Sequence, residues 1–189
     1  MQTCHVEFRI QLREDWIPVR ALATHLDELL HYYLSQPHLS CCDMQAGFFI
    51  HAGSAPWNGP DTVDEFRNAV TWLDALAAIL SDEADVADVW AWEESSARLQ
   101  RHGNLLELSD THHSGQIVCP TITVDLMDFS NQLYEEALSW ASLADAATLA
   151  LATPTYQDYA AELKLVLLEN LLPSGLHASL SKLKTALKL

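Results

Sequence analysis

The apolar residues of this 189-residue chain recur with two different periods, and this limits the folds that it can adopt. Near the start, Val6, Phe8, Ile10 and Leu12 alternate with polar residues, which is typical of a strand over residues 4–13 with one buried face. Most later apolar residues recur at three- and four-residue steps, which is typical of amphipathic helices. Together the two periods predict an α+β fold in which amphipathic helices cover an antiparallel sheet.

A β-hairpin is predicted at the centre of that sheet. Residues 97–101 and 105–109 flank His102-Gly103-Asn104, a turn whose residue types tolerate a positive φ. A strand is also expected to begin at Trp90. The two further predicted strands are residues 46–52 and 116–126, where Pro120 indicates an edge position or a bulge.

Helices are predicted between the strands and throughout the C-terminal part. Thr62 and Glu65 have the spacing of a capping box, and Asp128 or Ser130 is expected to cap a later helix. The predicted helices cover residues 18–35 and begin near Thr62, Asp128, Thr153 and Pro173. Apolar stripes are expected in the first helix at Val19, Leu22, Leu26, Leu29 and Tyr33, in the helix after Asp128 at Phe129, Leu133, Ala137, Trp140 and Ala144, and in the last helix at Leu176, Leu180, Leu183 and Leu187. The chain is interpreted as one domain, residues 1–189, in which helices of 151–189 pack as a C-terminal layer on a core of 1–150.

Negative charge is concentrated in the middle of the chain. The formal net charge is −16, and residues 61–145 hold 17 acidic and 3 basic residues, a net of −14. A field of this sign repels nucleic acid and anionic membranes, and it attracts basic proteins. Because 49% of the residues are hydrophobic, the charge is expected to lie on a folded surface rather than on a disordered tail.

The densest acidic segment, residues 81–94, is the predicted partner-binding site. An aromatic residue surrounded by charge is typical of an interface anchor, and this segment places carboxylates around two tryptophans. Tryptophans are also common in protein cores, and acidic surfaces aid solubility, so both alternatives remain open. The predicted contact residues are Asp82, Glu83, Asp85, Asp88, Trp90, Trp92, Glu93 and Glu94.

A second cluster offers the alternative of a hydrolase or metalloenzyme. Asp110, His112, His113 and Cys119 are close in sequence and carry the side chains that such chemistry uses. However, neighbouring residues on a strand point to opposite faces, and the chain has neither a Gly-x-Ser-x-Gly elbow nor a glycine-rich nucleotide motif. The sequence therefore predicts no catalytic residue, no metal and no cofactor. The serines considered as nucleophiles are Ser95, Ser96 and Ser114.

The layout of the central region resembles that of a known class of proteins. The segment from Trp90 to Ser95, the hairpin from Arg98 to Asp110 and the segment from Thr121 to Phe129 run strand, strand, strand, helix. In this order and in its charge, the region 88–140 is similar to the small acidic immunity proteins that accompany bacterial polymorphic toxins. The resemblance implies a cytosolic inhibitor that binds a cognate toxin and covers its active site. It implies no catalytic residues.

The cysteines and the N-terminus favour a cytoplasmic protein. Cys41 and Cys42 are adjacent, which is a poor arrangement for a disulfide framework, and a chain of this size does not need one. The first ten residues lack the basic and apolar segments of a signal peptide, and no apolar run is long enough to cross a bilayer. We therefore expect reduced thiols and no membrane partner.

Self-association is the third functional hypothesis. Leu165, Leu168 and Leu172 lie on the opposite side of a predicted helix that already has one apolar face. Apolar residues on both sides of a helix often mark an interface. This pattern predicts a homodimer formed through the C-terminal helices.

Overall fold

The computed structural model describes residues 4–36, 44–52, 55–57, 66–92, 95–112 and 119–189. Its strands are β1 (Cys4–Leu12), β2 (Asp15–Pro18), β3 (Ala46–Ala52), β4 (Ala55–Pro56), β5 (Val86–Trp92), β6 (Ser95–His102), β7 (Leu105–His112) and β8 (Ile122–Asp125). Its helices are α1 (Val19–Leu22), α2 (Leu26–Leu34), α3 (Phe66–Leu80), α4 (Leu126–Leu151), α5 (Ala161–Leu171) and α6 (Leu176–Leu187). These elements confirm the α+β class.

The first sheet is antiparallel and has the strand order β2-β1-β3-β4. The alternation predicted for β1 is confirmed, because Val6, Phe8, Ile10 and Leu12 are all buried. Phe8 pairs with Phe48 across the β1–β3 ladder, and their ring centroids lie 5.4 Å apart. The Phe8 ring also contacts Trp140 of α4 at 5.5 Å, so this face of the sheet forms part of the hydrophobic core.

The second sheet contains the predicted hairpin and has the order β5-β6-β7-β8. Gly103 and Asn104 form the turn between β6 and β7, and Gly103 has a φ of 64°, which a residue without a Cβ adopts without strain. β5 begins at Val86, earlier than expected, and β8 is shorter than the predicted strand. The core-facing residues are fully buried: Ala97, Leu99, Leu106 and Leu108.

The prediction of one sheet is replaced by two four-stranded sheets. β3 and β5 belong to different sheets, and α3, which lies between them in sequence, contacts both strands. The short strand β2 was also not predicted; it forms a hairpin with residues 9–12 of β1. Each sheet thus buries one face against helices, which is the packing arrangement expected of an α+β fold.

The prediction of one continuous helix over residues 18–35 is wrong. Residues 15–18 form β2, and α1 and α2 are separated at residues 23–25. Two short-range bonds end α1: the Thr24 N–H donates to the Ala21 carbonyl at 3.3 Å, and the His25 N–H donates to the Leu22 carbonyl at 2.9 Å. The apolar stripe of the prediction is nevertheless buried at Val19, Leu22, Leu29 and Tyr33 and half-buried at Leu26, because both short helices turn it toward the core.

The longest helix, α4, begins earlier than predicted and has a different cap. The Asp125 carboxylate accepts a bond from the Asp128 N–H at 2.9 Å, so neither Asp128 nor Ser130 is the cap residue. The predicted buried stripe is confirmed. Its members are fully buried: Phe129, Leu133, Ala137, Trp140 and Ala144. The capping box predicted at Thr62 and Glu65 lies outside the described residues.

The C-terminal helices pack on the core as predicted, with two differences. A 3-10 turn, Pro154–Tyr156, stands where a helix was expected to begin, and α5 starts only at Ala161. Leu168 and Leu172 pack against the core, whereas Leu165 is 59% exposed. The apolar stripe of α6 is buried as predicted: Leu176, Leu180, Leu183 and Leu187.

Side chains of α4 close an edge of β1 that β2 does not reach. The Gln132 side chain accepts from the Val6 N–H at 3.1 Å and donates to the Cys4 carbonyl at 3.0 Å. The buried Glu136 carboxylate accepts from the Phe8 N–H at 3.1 Å and pairs with Arg20. The helix therefore satisfies backbone groups that a neighbouring strand would otherwise satisfy.

Candidate functional site: an acidic connection and its groove

The predicted acidic site begins at the C-terminus of α3, in the connection formed by residues 81–85. The Glu83 N–H donates to the Ala78 carbonyl at 2.9 Å, and the Asp82 N–H donates to the Ile79 carbonyl at 3.3 Å. This pair of bonds is a Schellman motif, which requires a left-handed residue, and Asp82 supplies it with a φ of 58°. Local backbone geometry thus determines where the first acidic residues lie.

Arg101 attaches this acidic connection to the β6–β7 hairpin. Its guanidinium donates to the Ile79 carbonyl at 2.9 Å and to the Gly103 carbonyl at 3.1 Å, and it pairs with the Asp82 carboxylate. The backbone N–H of Arg101 also donates to the Asp85 carbonyl at 2.8 Å. The connection is therefore held at both ends by one residue of β6.

Asp88 lies on β5 and is paired with Arg98 of β6. The two residues are direct cross-strand neighbours, and the guanidinium binds both carboxylate oxygens, at 2.8 and 3.0 Å. The Arg98 hydrogen bonds lower the pKa of Asp88 below its usual range. Because both side chains are about half exposed, solvent screens this pair. Asp88 therefore adds little net charge to the surface around it.

The described acidic residues of the predicted site lie on two consecutive elements. Asp82, Glu83 and Asp85 are exposed in the connection beyond α3, and Asp88 is exposed on β5. Two of the four carboxylates are paired, Asp82 with Arg101 and Asp88 with Arg98. Partner binding by these residues stays a prediction. Glu93 and Glu94 lie outside the described residues; Trp90 and Trp92 belong to β5, but their side chains lie outside the described part.

An open groove of about 590 Å³ runs beside the acidic connection, between α3 and α6. Lys182 lies in the groove and is held by Asp74 at 3.0 Å, while Glu83 contributes a second carboxylate to the lining. The remaining lining residues are small: Ala77, Ala78, Ser81, Ser181, Thr185 and Ala186. A groove with a floor of small side chains can accept a bulky side chain from a partner.

The alternative catalytic or metal site is only partly described. Asp110 and His112 belong to β7, opposite Ala97 and Ser95 of β6, but their side chains lie outside the described part, as does His113. Cys119 is buried among apolar residues, which is the usual environment of a thiol that packs in a core. Among residues whose side chains are described, no three histidine, cysteine or acidic side chains form a metal-binding group.

The nucleophile candidates are described only in part. Ser96 is half-buried on β6, and Ser95 is described only in its backbone. Ser114 lies outside the described residues. The hydrolase hypothesis therefore stays a prediction.

The two basic residues at the site, Arg101 and Lys182, were not predicted as site residues. The Arg101–Asp82 contact has a weak sequence signal, because an acidic residue just beyond a helix end can adopt the left-handed conformation. The Lys182–Asp74 contact joins residues 108 positions apart and has no local signal.

Comparisons with known proteins add no relative. No family model matches the chain, no curated protein matches it, and no solved structure matches its fold. In the described ranges, no helix has the combined length and apolarity that crossing a bilayer requires. A function can therefore be inferred only from the site itself.

Proposed function

We propose that this protein is a non-enzymatic binding protein whose acidic surface engages a basic protein partner. The observation that carries the proposal is the acidic connection, which Arg101 and the Schellman motif hold in one conformation beside the α3–α6 groove. A backbone that is already ordered loses little conformational freedom on binding, so more of the interaction energy of its carboxylates contributes to affinity. We assign the first contact with the partner to two acidic residues, Glu83 and Asp85.

The overall charge supports this assignment. The net charge of −16 already includes Arg98 and Arg101, which pair with Asp88 and Asp82. Long-range attraction of a basic partner follows from this excess, because it raises the rate of encounter. The partner proposed from the resemblance to immunity proteins is a cognate toxin, whose active site this surface would cover.

The test compares protein capture by three immobilised baits. The wild type is matched with Glu83→Gln/Asp85→Asn and with the control Asp158→Asn/Glu162→Gln, which removes the same number of exposed charges elsewhere. We expect a basic protein to be retained by the wild type and the control and lost from the first variant. Its association rate should fall about tenfold between low and high salt, as for electrostatically steered binding.

Two results would contradict the proposal. Equal capture by the wild type and Glu83→Gln/Asp85→Asn would show that these carboxylates do not contact the partner. An association rate that does not depend on salt would remove the electrostatic mechanism even if the partner is real.

Self-association through the C-terminal helices has less support. Leu168 and Leu172 pack on the core of the same chain, so Leu165 is the exposed residue of the original three. A single exposed leucine is common on monomeric proteins. Light scattering at high protein concentration tests the homodimer directly.

A further inference from the structure

The outer face of the first sheet carries aromatic rings and histidines beside the polar residues of β1. This face lies opposite the core face of β1, β2 and β3. Trp16 contacts Phe49 at a centroid distance of 5.6 Å, and Phe49 stacks on His51 at 6.5 Å. The Arg9 guanidinium lies 5.7 Å from the centre of the Phe49 ring. Contacts between rings therefore extend across this face from Trp16 through Phe49 to His51.

Two of these histidines are direct neighbours across the β1–β3 ladder. His5 pairs with His51 in the antiparallel register, and their ring centroids lie 6.1 Å apart at an interplanar angle of 31°. Imidazole nitrogen is a preferred ligand of divalent copper and nickel, and two backbones joined by a ladder hold such a pair at a fixed separation. His5 is exposed, so its ring can rotate toward a shared ion.

The Nε2 atom of His51 is buried and has no hydrogen-bond partner among the described residues. A buried nitrogen without a partner is costly, and it requires an explanation such as an ion or a bound group. A neutral imidazole has one N–H and one nitrogen lone pair, so the ring can supply one ligand bond.

We propose that His5 and His51 form a two-imidazole binding site for a divalent late transition metal, with Cu²⁺ or Ni²⁺ preferred. The site is separate from the acidic connection and does not depend on the proposed partner. It supplies two protein ligands, and water completes the coordination, because the described residues contain no group of three ligands. The Glu7 carboxylate, paired with Arg9 at 2.6 Å, lies on the same strand as His5 and adds a nearby negative charge.

The experiment measures Ni²⁺ binding to tag-free, metal-stripped protein by titration calorimetry. We expect one Ni²⁺ per chain, with affinity about tenfold weaker or worse in His5→Gln and in His51→Gln, because each removes one of two ligands. Ni²⁺ should also raise the melting temperature of the wild type, since the ion joins β1 to β3 only in the folded state.

The matched control is His102→Gln/His177→Gln, which removes two exposed histidines that lie beside carboxylates on other parts of the surface. This variant should keep the wild-type affinity. Failure of the wild type to bind Ni²⁺ overturns the proposal, as does unchanged affinity in His5→Gln. Because His5 is exposed, that variant decides the question even if His51→Gln proves unstable.

Discussion

The edges of the two sheets are protected in different ways. In the first sheet, the N-terminal half of β1 is covered by α4, whose Gln132 and Glu136 side chains bind its backbone groups. In the second sheet, β5 is the terminal strand, and it carries Asp88, which pairs with Arg98 on the solvent side. One edge is thus satisfied by polar side chains of a helix, and the terminal strand at the other edge carries a side chain that is paired with its neighbouring strand.

Acidic residues in this protein thus have more than one role. Glu136 is 3% exposed, and burial raises its pKa, although its bonds to Phe8 and Arg20 oppose the shift. Asp88 is half exposed, and Arg98 lowers its pKa. Glu83 and Asp85 are exposed in the connection between α3 and β5. The number of carboxylates in the sequence therefore does not give the number of unpaired charges on the surface.

The largest expected effect comes from removing the buried carboxylate. Glu136→Ala leaves the Phe8 N–H without its acceptor and removes buried methylene groups, so we expect a loss of roughly 3 kcal/mol in the free energy of unfolding. Urea denaturation measures this value. Glu136→Gln is the matched control, because it keeps an acceptor and should cost about 1 kcal/mol. Equal losses in both variants would show that water replaces the carboxylate at this edge.

A smaller effect is expected in the second sheet. Arg101→Met removes the bonds to the Ile79 and Gly103 carbonyls, and we expect a loss of about 2 kcal/mol. Arg98→Met, which removes only a screened surface pair, should destabilise the protein less. Urea denaturation of both variants gives the order. If Arg98→Met were the more damaging, Arg101 would not be the residue that holds the acidic connection.

The smallest expected effect is on the pH dependence of the unfolding free energy, which has opposite signs for Glu136 and Asp88. The raised pKa of Glu136 means that its ionisation costs stability above that pKa, and this cost disappears below the ordinary value of 4.5. The lowered pKa of Asp88 means that its contribution is present above 3.8 and is lost as the pH falls through the lowered value.

Unfolding free energies measured from pH 7 down to the lowered pKa of Asp88 check these signs. Relative to Glu136→Gln, the wild type should become more stable as the pH falls toward 4.5. Relative to Asp88→Asn, the wild type should become less stable only below pH 3.8. Parallel pH profiles for the two comparisons would show that the two carboxylates do not differ in environment as described.

Most of the buried faces could be predicted from local patterns, whereas the boundaries of the elements could not. The β1 alternation and the stripes of α4 and α6 were correct because periodicity reports directly which face is apolar. The break after α1 and the cap at Asp125 were missed because short-range polar bonds compete with the helix pattern. For the candidate site, sequence identified Asp82, Glu83 and Asp85 but not the arginine that holds them.

The sequence by itself determined the fold class, the hairpin at Gly103 and the apolar faces, because each depends on residues close together in the chain. Only the tertiary structure decided that there are two sheets, which carboxylates are neutralised, and that His5 meets His51. These outcomes depend on contacts between distant segments, such as the Glu136–Phe8 bond across 128 positions. Net charge is a property of composition, but a charged surface depends on which charges the fold pairs and which it leaves in solvent.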